Sequence, residues 1–236
     1  MEYSIATFCY GDRYYQQTNR LIESFDYMEE KPQIFVVTDS VESIIKRDFV
    51  SVDDINNYNP KYSTYEKNYY EFDFSVKRFS LKYAFDNGYS KVILVDTDVV
   101  VNPERYNHQH VLNSFIENSI AGQVTYNFNN EITTNSNLGR RLVHYESKFG
   151  VEFDKSKLNF MPEDCIQYIS IEGDTRYKFF QTWDECISIK DTDGLYNIPA
   201  GNIDEMSFAA LYNGIEVTNN SNKSINLLIA HHDKWY

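Results

Sequence analysis

An α/β protein with a central, mostly parallel sheet flanked by helices is the architecture that this sequence predicts, on three observations. Short apolar runs, Ile34-Phe35-Val36-Val37 and Val92-Ile93-Leu94-Val95, are continuous and rich in β-branched residues, as strands covered on both faces require. Helical periodicity lies between such runs, and strand, helix, strand in that order pairs in parallel through a right-handed crossover. The runs end in glycine or acidic residues, at Gly11-Asp12, Thr38-Asp39 and Asp96-Thr97-Asp98, which places polar chemistry at the carboxyl edge of the sheet. A length of 236 residues suits one domain with a sizeable core, spanning 1–236, with a first part to about 102 and a second from about 103.

Taken in order, residues 3 to 9 (Tyr3-Ser4-Ile5-Ala6-Thr7-Phe8-Cys9) form a first strand. A helix over about 15–28 turns Ile22 and Phe25 inward and closes at Lys31-Pro32. Residues 34–37 form the next strand, and 53–72, rich in Asn, Tyr and charge, read as a long loop. A helix starts at Ser75, an N-cap residue type, carries Val76, Phe79 and Tyr83 at helical spacing, and stops at Asn87-Gly88. Its first turn holds Lys77 and Arg78, cations at the unfavourable end of the helix dipole; they serve either solubility or a nearby anion. The run Lys91-Val92-Ile93-Leu94-Val95-Asp96-Thr97-Asp98-Val99-Val100-Val101 is then a buried strand with an acidic end.

Helices are expected near 111–118 and 138–148, separated by the polar stretch 127–137, a candidate mobile loop. A strand over 165–171 ends at Gly173, and 175–190 is helical with Phe179, Phe180, Trp183 and Ile187 as its apolar stripe. Asp204-Glu205 opens a further helix ending at Asn213-Gly214. One acid there is explained by capping; a second is a candidate for catalysis. The tail, residues 227–230 and then His231-His232-Asp233-Lys234-Trp235-Tyr236, reads as a strand followed by metal-ligand and phosphate-binding residue types.

Composition narrows the function. A net charge of −13 opposes a surface built to neutralise a phosphate backbone, which argues against nucleic acid as a partner. The 20 Tyr and 16 Phe suit a carbohydrate groove as well as they suit core filling. Cys9, Cys165 and Cys186 are odd in number and far apart, without Cys-x-x-Cys spacing, so a reduced, cytoplasmic protein is expected. No basic segment leads into a long apolar one, so neither export nor a membrane anchor is expected. Paired carboxylates at a buried strand end cost free energy unless a cation meets them, and a hard divalent cation with oxygen ligands is the usual partner of Asp-x-Asp. An acidic turn after a core strand explains the triplet equally well on its own.

Four local patterns in order resemble the glycosyltransferases of the GT-A fold, and more closely glycosyltransferase family 6, the histo-blood-group A and B transferases and α-1,3-galactosyltransferases. They are Phe8-Cys9-Tyr10-Gly11 followed by Tyr14; Asp73-Phe74-Ser75-Val76-Lys77-Arg78; Val95-Asp96-Thr97-Asp98; and Asp204-Glu205. Weaker similarity covers 35–39, 125–126 and the strand ending at Gly173. The resemblance implies a retaining, metal-dependent transfer of a hexose from a UDP-sugar to a glycan hydroxyl, with an α-linkage formed. Tyr14 would stack on the uracil, with the backbone of Phe8, Cys9 and Tyr10 at its edge. Asp98, helped by Asp96, would hold Mn²⁺ or Mg²⁺ against the diphosphate. Arg78 would meet the donor sugar and Asp204. Gln167, Tyr168 and Ile169 match positions that read donor substituents, and Tyr168 and Ile169 are larger than usual there, which implies a galactose or glucose donor in preference to an N-acetyl sugar. Glu205 would be the nucleophile, or the carboxylate that stabilises an oxocarbenium-like centre. Lys234 and His231 or His232 would close over the diphosphate. His232 is the weaker metal ligand, suggested by similarity of the ending to the glycogenin-like family.

The chain departs from the family at Asn202-Ile203, where Trp-His is usual; these positions touch the acceptor, so a different acceptor is implied. The vertebrate members have a membrane anchor and stem, and a microbial or viral setting is expected here instead. Two other readings remain. A phosphatase of the haloacid-dehalogenase type would use Asp96 as nucleophile, but it usually carries that motif on its first strand and needs a later acid pair that Gly173-Asp174 does not supply. A non-catalytic binder of sugar nucleotides or glycans would tolerate loss of the Glu205 carboxylate.

Overall fold

Strand β1 (Ser4–Cys9) is buried along its whole length, and every strand of the main sheet is organised around it and β4 (Lys91–Val95). The computed structural model describes residues 2–58, 76–104, 106–122, 126–127, 136–155, 158–160, 166–193 and 203–219. Among these, β2 (Gln33–Thr38), β3 (Val50–Asp54), β5 (Ser119–Gly122), β8 (Ile166–Ser170) and β9 (Glu216–Asn219) complete a seven-stranded sheet in the order β3-β2-β1-β4-β8-β5-β9. β6 (Tyr126–Asn127) and β7 (Asn159–Phe160) form a separate two-stranded ribbon. β1 pairs in parallel with both β2 and β4, and β2 with β3. β8 alone runs the other way, antiparallel to β4 on one side and β5 on the other. The sheet is mostly parallel, as expected.

Helices cover both faces. Ile5, Ile34, Val36, Ile93, Val95 and Tyr168 point to the side of α1 (Asp12–Glu23) and α3 (His108–Leu112), where they pack with Leu21, Ile22, Phe25 and Val111. Ala6, Phe35, Val92, Leu94, Ile120 and Ile169 point to the opposite side. There they meet Leu81, Ala84 and Phe85 of α2 (Lys77–Asp86), Phe179 and Trp183 of α5 (Gly173–Thr192), and Met206, Ala209 and Ala210 of α6 (Ile203–Tyr212). Residues alternate between the faces with a period of two, so a continuous apolar run feeds two cores at once. α4 (Asn137–Phe149) packs outside this layer through Leu142 and Tyr145 against Cys186 and Phe208.

Several elements differ from the sequence expectation. The first helix starts at Asp12 because Gly11, at φ +87°, lets the chain turn straight out of β1, and Phe25 is buried from the turn beyond the helix end. β3 precedes the expected loop and takes in its first residues, Asp53 and Asp54: its half-buried Val, Ser and Asp residues carry little apolar signal, as an edge strand permits. Residues 59–75, with Asp73, Phe74 and Ser75, lie outside the described residues. The acidic strand stops at Val95, and Val99 and Val101 are buried from an irregular segment instead. The helix expected at 111–118 is the short α3, with β5 beginning at Ser119; β5 and β9 are too short and small-residued to announce themselves. Gly173 opens α5 at φ +57°, so it makes the turn between strand and helix rather than a strand end alone.

Ile93 is fully buried at the centre of the sheet, opposite Ile5 and Tyr168. Ile93→Ala is expected to lower unfolding free energy by about 2–5 kcal/mol, read from urea denaturation, without loss of helical signal at low urea.

Candidate active site

The Asp-x-Asp motif leaves the sheet at the carboxyl end of β4. Thr97, buried, turns inward and its hydroxyl donates to Gln17 Oε1 of α1 at 2.8 Å. That bond anchors the middle of the motif in the core, while Asp96 and Asp98 on either side stay half-buried. The Asp96 backbone carbonyl accepts from Val99 N at 3.3 Å, which closes the turn. Two hard oxygen donors held on a tight turn suit Mg²⁺ or Mn²⁺, with remaining ligands drawn from a diphosphate. A cation already fits there: Lys77 Nζ forms an ion pair with Asp96 Oδ1. Among the described residues no group of three or more His, Cys, Asp or Glu comes together as a metal cage.

Consecutive residues of the first turn of α2 reach two parts of this edge. Lys77 holds Asp96, and Arg78, almost entirely buried, donates from Nε to Asp184 Oδ1 of α5 at 2.7 Å while its guanidinium lies 4.2 Å from the Phe79 ring centroid. The N-cap position, Val76, makes no side-chain cap bond. The anion that the two cations anticipate is therefore supplied at least in part by the protein, through Asp96 and Asp184. Asp184 had no signal in the sequence beyond being one acid among several on a long helix. Asp204, the partner implied for Arg78, sits in the first turn of α6, and its side chain lies outside the described residues, as does that of Ile203.

Glu205 is completely buried, 0% exposed, and its Oε1 lies 3.8 Å from Nη1 of Arg141, itself 2% exposed. Arg141 comes from α4, one turn before the buried Tyr145, and α4 packs on α6. An ionised carboxylate in a core costs several kcal/mol unless a counter-ion accompanies it, and Arg141 is that counter-ion. The sequence concealed this residue: Arg140-Arg141 reads as a charged helix surface, and only the burial of Leu142 and Tyr145 shows that Arg141 shares the inner face.

The part of the edge where a nucleotide is expected is built by β1, β2 and α1. Phe8 packs on Val37, Ile55, Val76 and Phe79, whereas Cys9 points to the α1 side, where burial pushes its thiol up to about 11. Tyr14 lies half-buried in the first turn of α1, its N–H donating to Gly11 O at 3.0 Å. Tyr15, its neighbour, donates its hydroxyl to Asp39 Oδ1 at 2.6 Å, and burial followed by that carboxylate raises its phenol well above the usual range. Burial, then Asp39, also raises Tyr10.

The expected donor-reading trio is divided by the pleat. Tyr168 is in the core on the α1 side, edge-on to Phe115 at 5.4 Å, and its partners there fill the space around its ring. Ile169, fully buried, and Gln167 alternate to the α2, α5 and α6 side. Gln167 pairs with Leu94 and Gly122 near the carboxyl end of β4, is 7% exposed, and its Oε1 has no hydrogen-bond partner among the described residues. A buried acceptor left so costs about 1–3 kcal/mol, which a ligand hydroxyl would offset. Asn202, His231, His232, Lys234 and the tail strand lie outside the described residues.

No protein-family model and no curated protein matches the sequence. Comparison with solved structures does find relatives in shape. The crystal structure of galactosyltransferase LgtC in complex with donor and acceptor sugar analogues superposes with a TM-score of 0.52 at 12% identity, covering 92% of this chain and 72% of that one. The chain has the GT-A glycosyltransferase fold. In this chain the antiparallel β8 lies beside β4, and Asp96 follows the fourth strand in chain order rather than the first, where the phosphatase alternative would have it. Among the described residues no helix is long and apolar enough to cross a membrane.

Removing one member of the buried pair should expose its cost. Arg141→Met is expected to lose about 3–5 kcal/mol in urea denaturation, whereas Arg141→Met combined with Glu205→Leu recovers most of that loss, since the double variant removes both charges of the pair.

Proposed function

We propose that this chain is a retaining glycosyltransferase that moves a hexose from a UDP-sugar to a glycan hydroxyl, with an α-linkage formed. The observation that carries the reading is the first turn of α2, which links the Asp-x-Asp end of β4 through Lys77 to the α5–α6 layer through Arg78. The same layer holds a buried acid, Glu205. The donor and acceptor sugar analogues in the structural neighbour's description support sugar substrates for a site in this fold.

In this reading Tyr14 stacks on uracil, and the backbone of Phe8, Cys9 and Tyr10 meets its edge. Asp96 and Asp98 would hold Mn²⁺ or Mg²⁺, a Lewis acid that offsets charge developing on the leaving diphosphate. Gln167 would accept from a sugar hydroxyl through its Oε1, which has no hydrogen-bond partner among the described residues. Tyr168 no longer contributes to the choice of donor, because its ring is committed to the other face. Gln167 would carry that choice, since Ile169 is likewise enclosed in a core, and UDP-galactose or UDP-glucose would be favoured over N-acetyl donors. Glu205 would stabilise or attack the anomeric carbon while Arg141 balances its charge; a carboxylate there can serve either double displacement or same-face substitution. Asp204 and Arg78 would orient the sugar, Asn202 and Ile203 would meet the acceptor, and Lys234 with His232 would cover the diphosphate. The likeness to glycosyltransferase family 6 belongs to this proposal, as does a cytoplasmic setting.

A thermal-shift screen of nucleotide sugars with Mn²⁺ or EDTA, followed by NMR of the anomeric proton released on slow donor hydrolysis, tests the reading. UDP-hexoses are expected to stabilise the protein only with Mn²⁺, and Asp98→Asn is expected to abolish that shift while the free protein melts as before. Glu205→Gln should keep nucleotide affinity and lose turnover by about a hundredfold or more. Retained turnover in that variant would make the protein an enzyme of another mechanism, and nucleotide-sugar binding without turnover in the wild type would make it a binder. Equal turnover of N-acetyl donors would overturn the hexose assignment.

A further inference from the structure

Lys77 stands where local helix energetics disfavour it. A cation in the first turn faces the positive end of the α2 dipole, at a helix start with no side-chain cap. The ion pair with Asp96 offsets that cost: the Lys77 side chain is 20% exposed and that of Asp96 33%, so the pair is partly shielded from water. Asp96 is also one of the two oxygen donors of the proposed divalent-cation site. A carboxylate oxygen engaged by an ammonium cannot give full coordination to a second cation, because two positive charges at contact distance repel. Arg78 is held on a different acid, Asp184, and over the Phe79 ring.

We propose that Lys77 is the resident counter-ion of this site. It holds Asp96 when nucleotide is absent and moves to the donor's diphosphate when the divalent cation takes Asp96. The exchange rests on the glycosyltransferase reading for its two ligands, a divalent cation and a nucleoside diphosphate. It explains why a cation occupies the first turn of α2, and it makes the two ligands cooperative. Without the diphosphate, the metal must displace Lys77 into water; with it, the ammonium gains phosphate oxygens. By linkage, each ligand then tightens the other by the same factor.

The test measures Mn²⁺ affinity by electron paramagnetic resonance, with and without UDP, and UDP affinity by calorimetry with and without Mn²⁺. Wild type, Lys77→Met, Lys77→Arg, Asp96→Asn and the double variant Lys77→Met/Asp96→Asn are compared. Lys77→Met is expected to tighten UDP-free Mn²⁺ binding about threefold or more, the scale of a partly exposed ion pair, and to weaken UDP binding in Mn²⁺. The mutual enhancement between Mn²⁺ and UDP shrinks accordingly, and Lys77→Arg restores it. In the Asp96→Asn background the tightening disappears. Equal tightening with Asp96 present or replaced would reveal only a long-range charge effect and overturn the exchange, as would Mn²⁺ and UDP affinities indifferent to Lys77. If wild type binds UDP but takes no Mn²⁺ in either state, the metal reading itself falls, and Lys77–Asp96 is a permanent ion pair.

Discussion

Two-sided pairing of β4, with β1 in parallel on one flank and β8 antiparallel on the other, is the constraint on which the rest of the molecule depends. It puts Val92 and Leu94 into one core and Ile93 and Val95 into the other, so the strand cannot slip by one residue without exchanging both sets. The chain leaves that strand at one place only, and there it carries Asp96 and Asp98. The hydrogen bond from Thr97 to Gln17 extends the same rigidity past the last ladder bond into the motif.

Charge at this edge is organised by pairs drawn from different elements. Lys77 and Asp96 join α2 to the end of β4, Arg78 and Asp184 join α2 to α5, and Arg141 and Glu205 join α4 to α6. They differ in burial, and burial decides what each does. The fully enclosed Arg141–Glu205 pair is costly to desolvate, so loss of either partner leaves the other charge buried and unbalanced. The Lys77–Asp96 pair, partly shielded but reached by water, belongs to the weaker class of ion pair. Arg78 lies between these extremes, its guanidinium covered by Phe79 while its carboxylate partner remains accessible.

Much of the fold was legible in residue pattern. β1, β2, β4 and β8 announced themselves as continuous apolar runs, and α2, α5 and α6 as periodic ones ended by glycine or started by acids. The short strands β3, β5 and β9 were not legible, because a strand of four or five residues with small or polar side chains has too little apolar content to stand out, and its existence depends on neighbours that supply the ladder. Strand direction was hidden for a related reason: a run buried on both faces looks the same whether it enters a sheet parallel or antiparallel, and β8 gives no local sign that it runs against β4.

The candidate site divides in the same way. By itself the sequence determined that Asp96 and Asp98 follow a core strand, that Lys77 and Arg78 begin a helix, and that Asp204 and Glu205 begin another, since periodicity and turn residues are local properties. Only the tertiary structure decided their partners: Lys77 with Asp96, Arg78 with Asp184, Glu205 with Arg141, and Gln167 turned toward the α2, α5 and α6 side while Tyr168 is turned away. Partnership between residues far apart in the chain is set by how helices and strands pack, and a charged side chain carries the same letter in the sequence whether it ends in water or in a core.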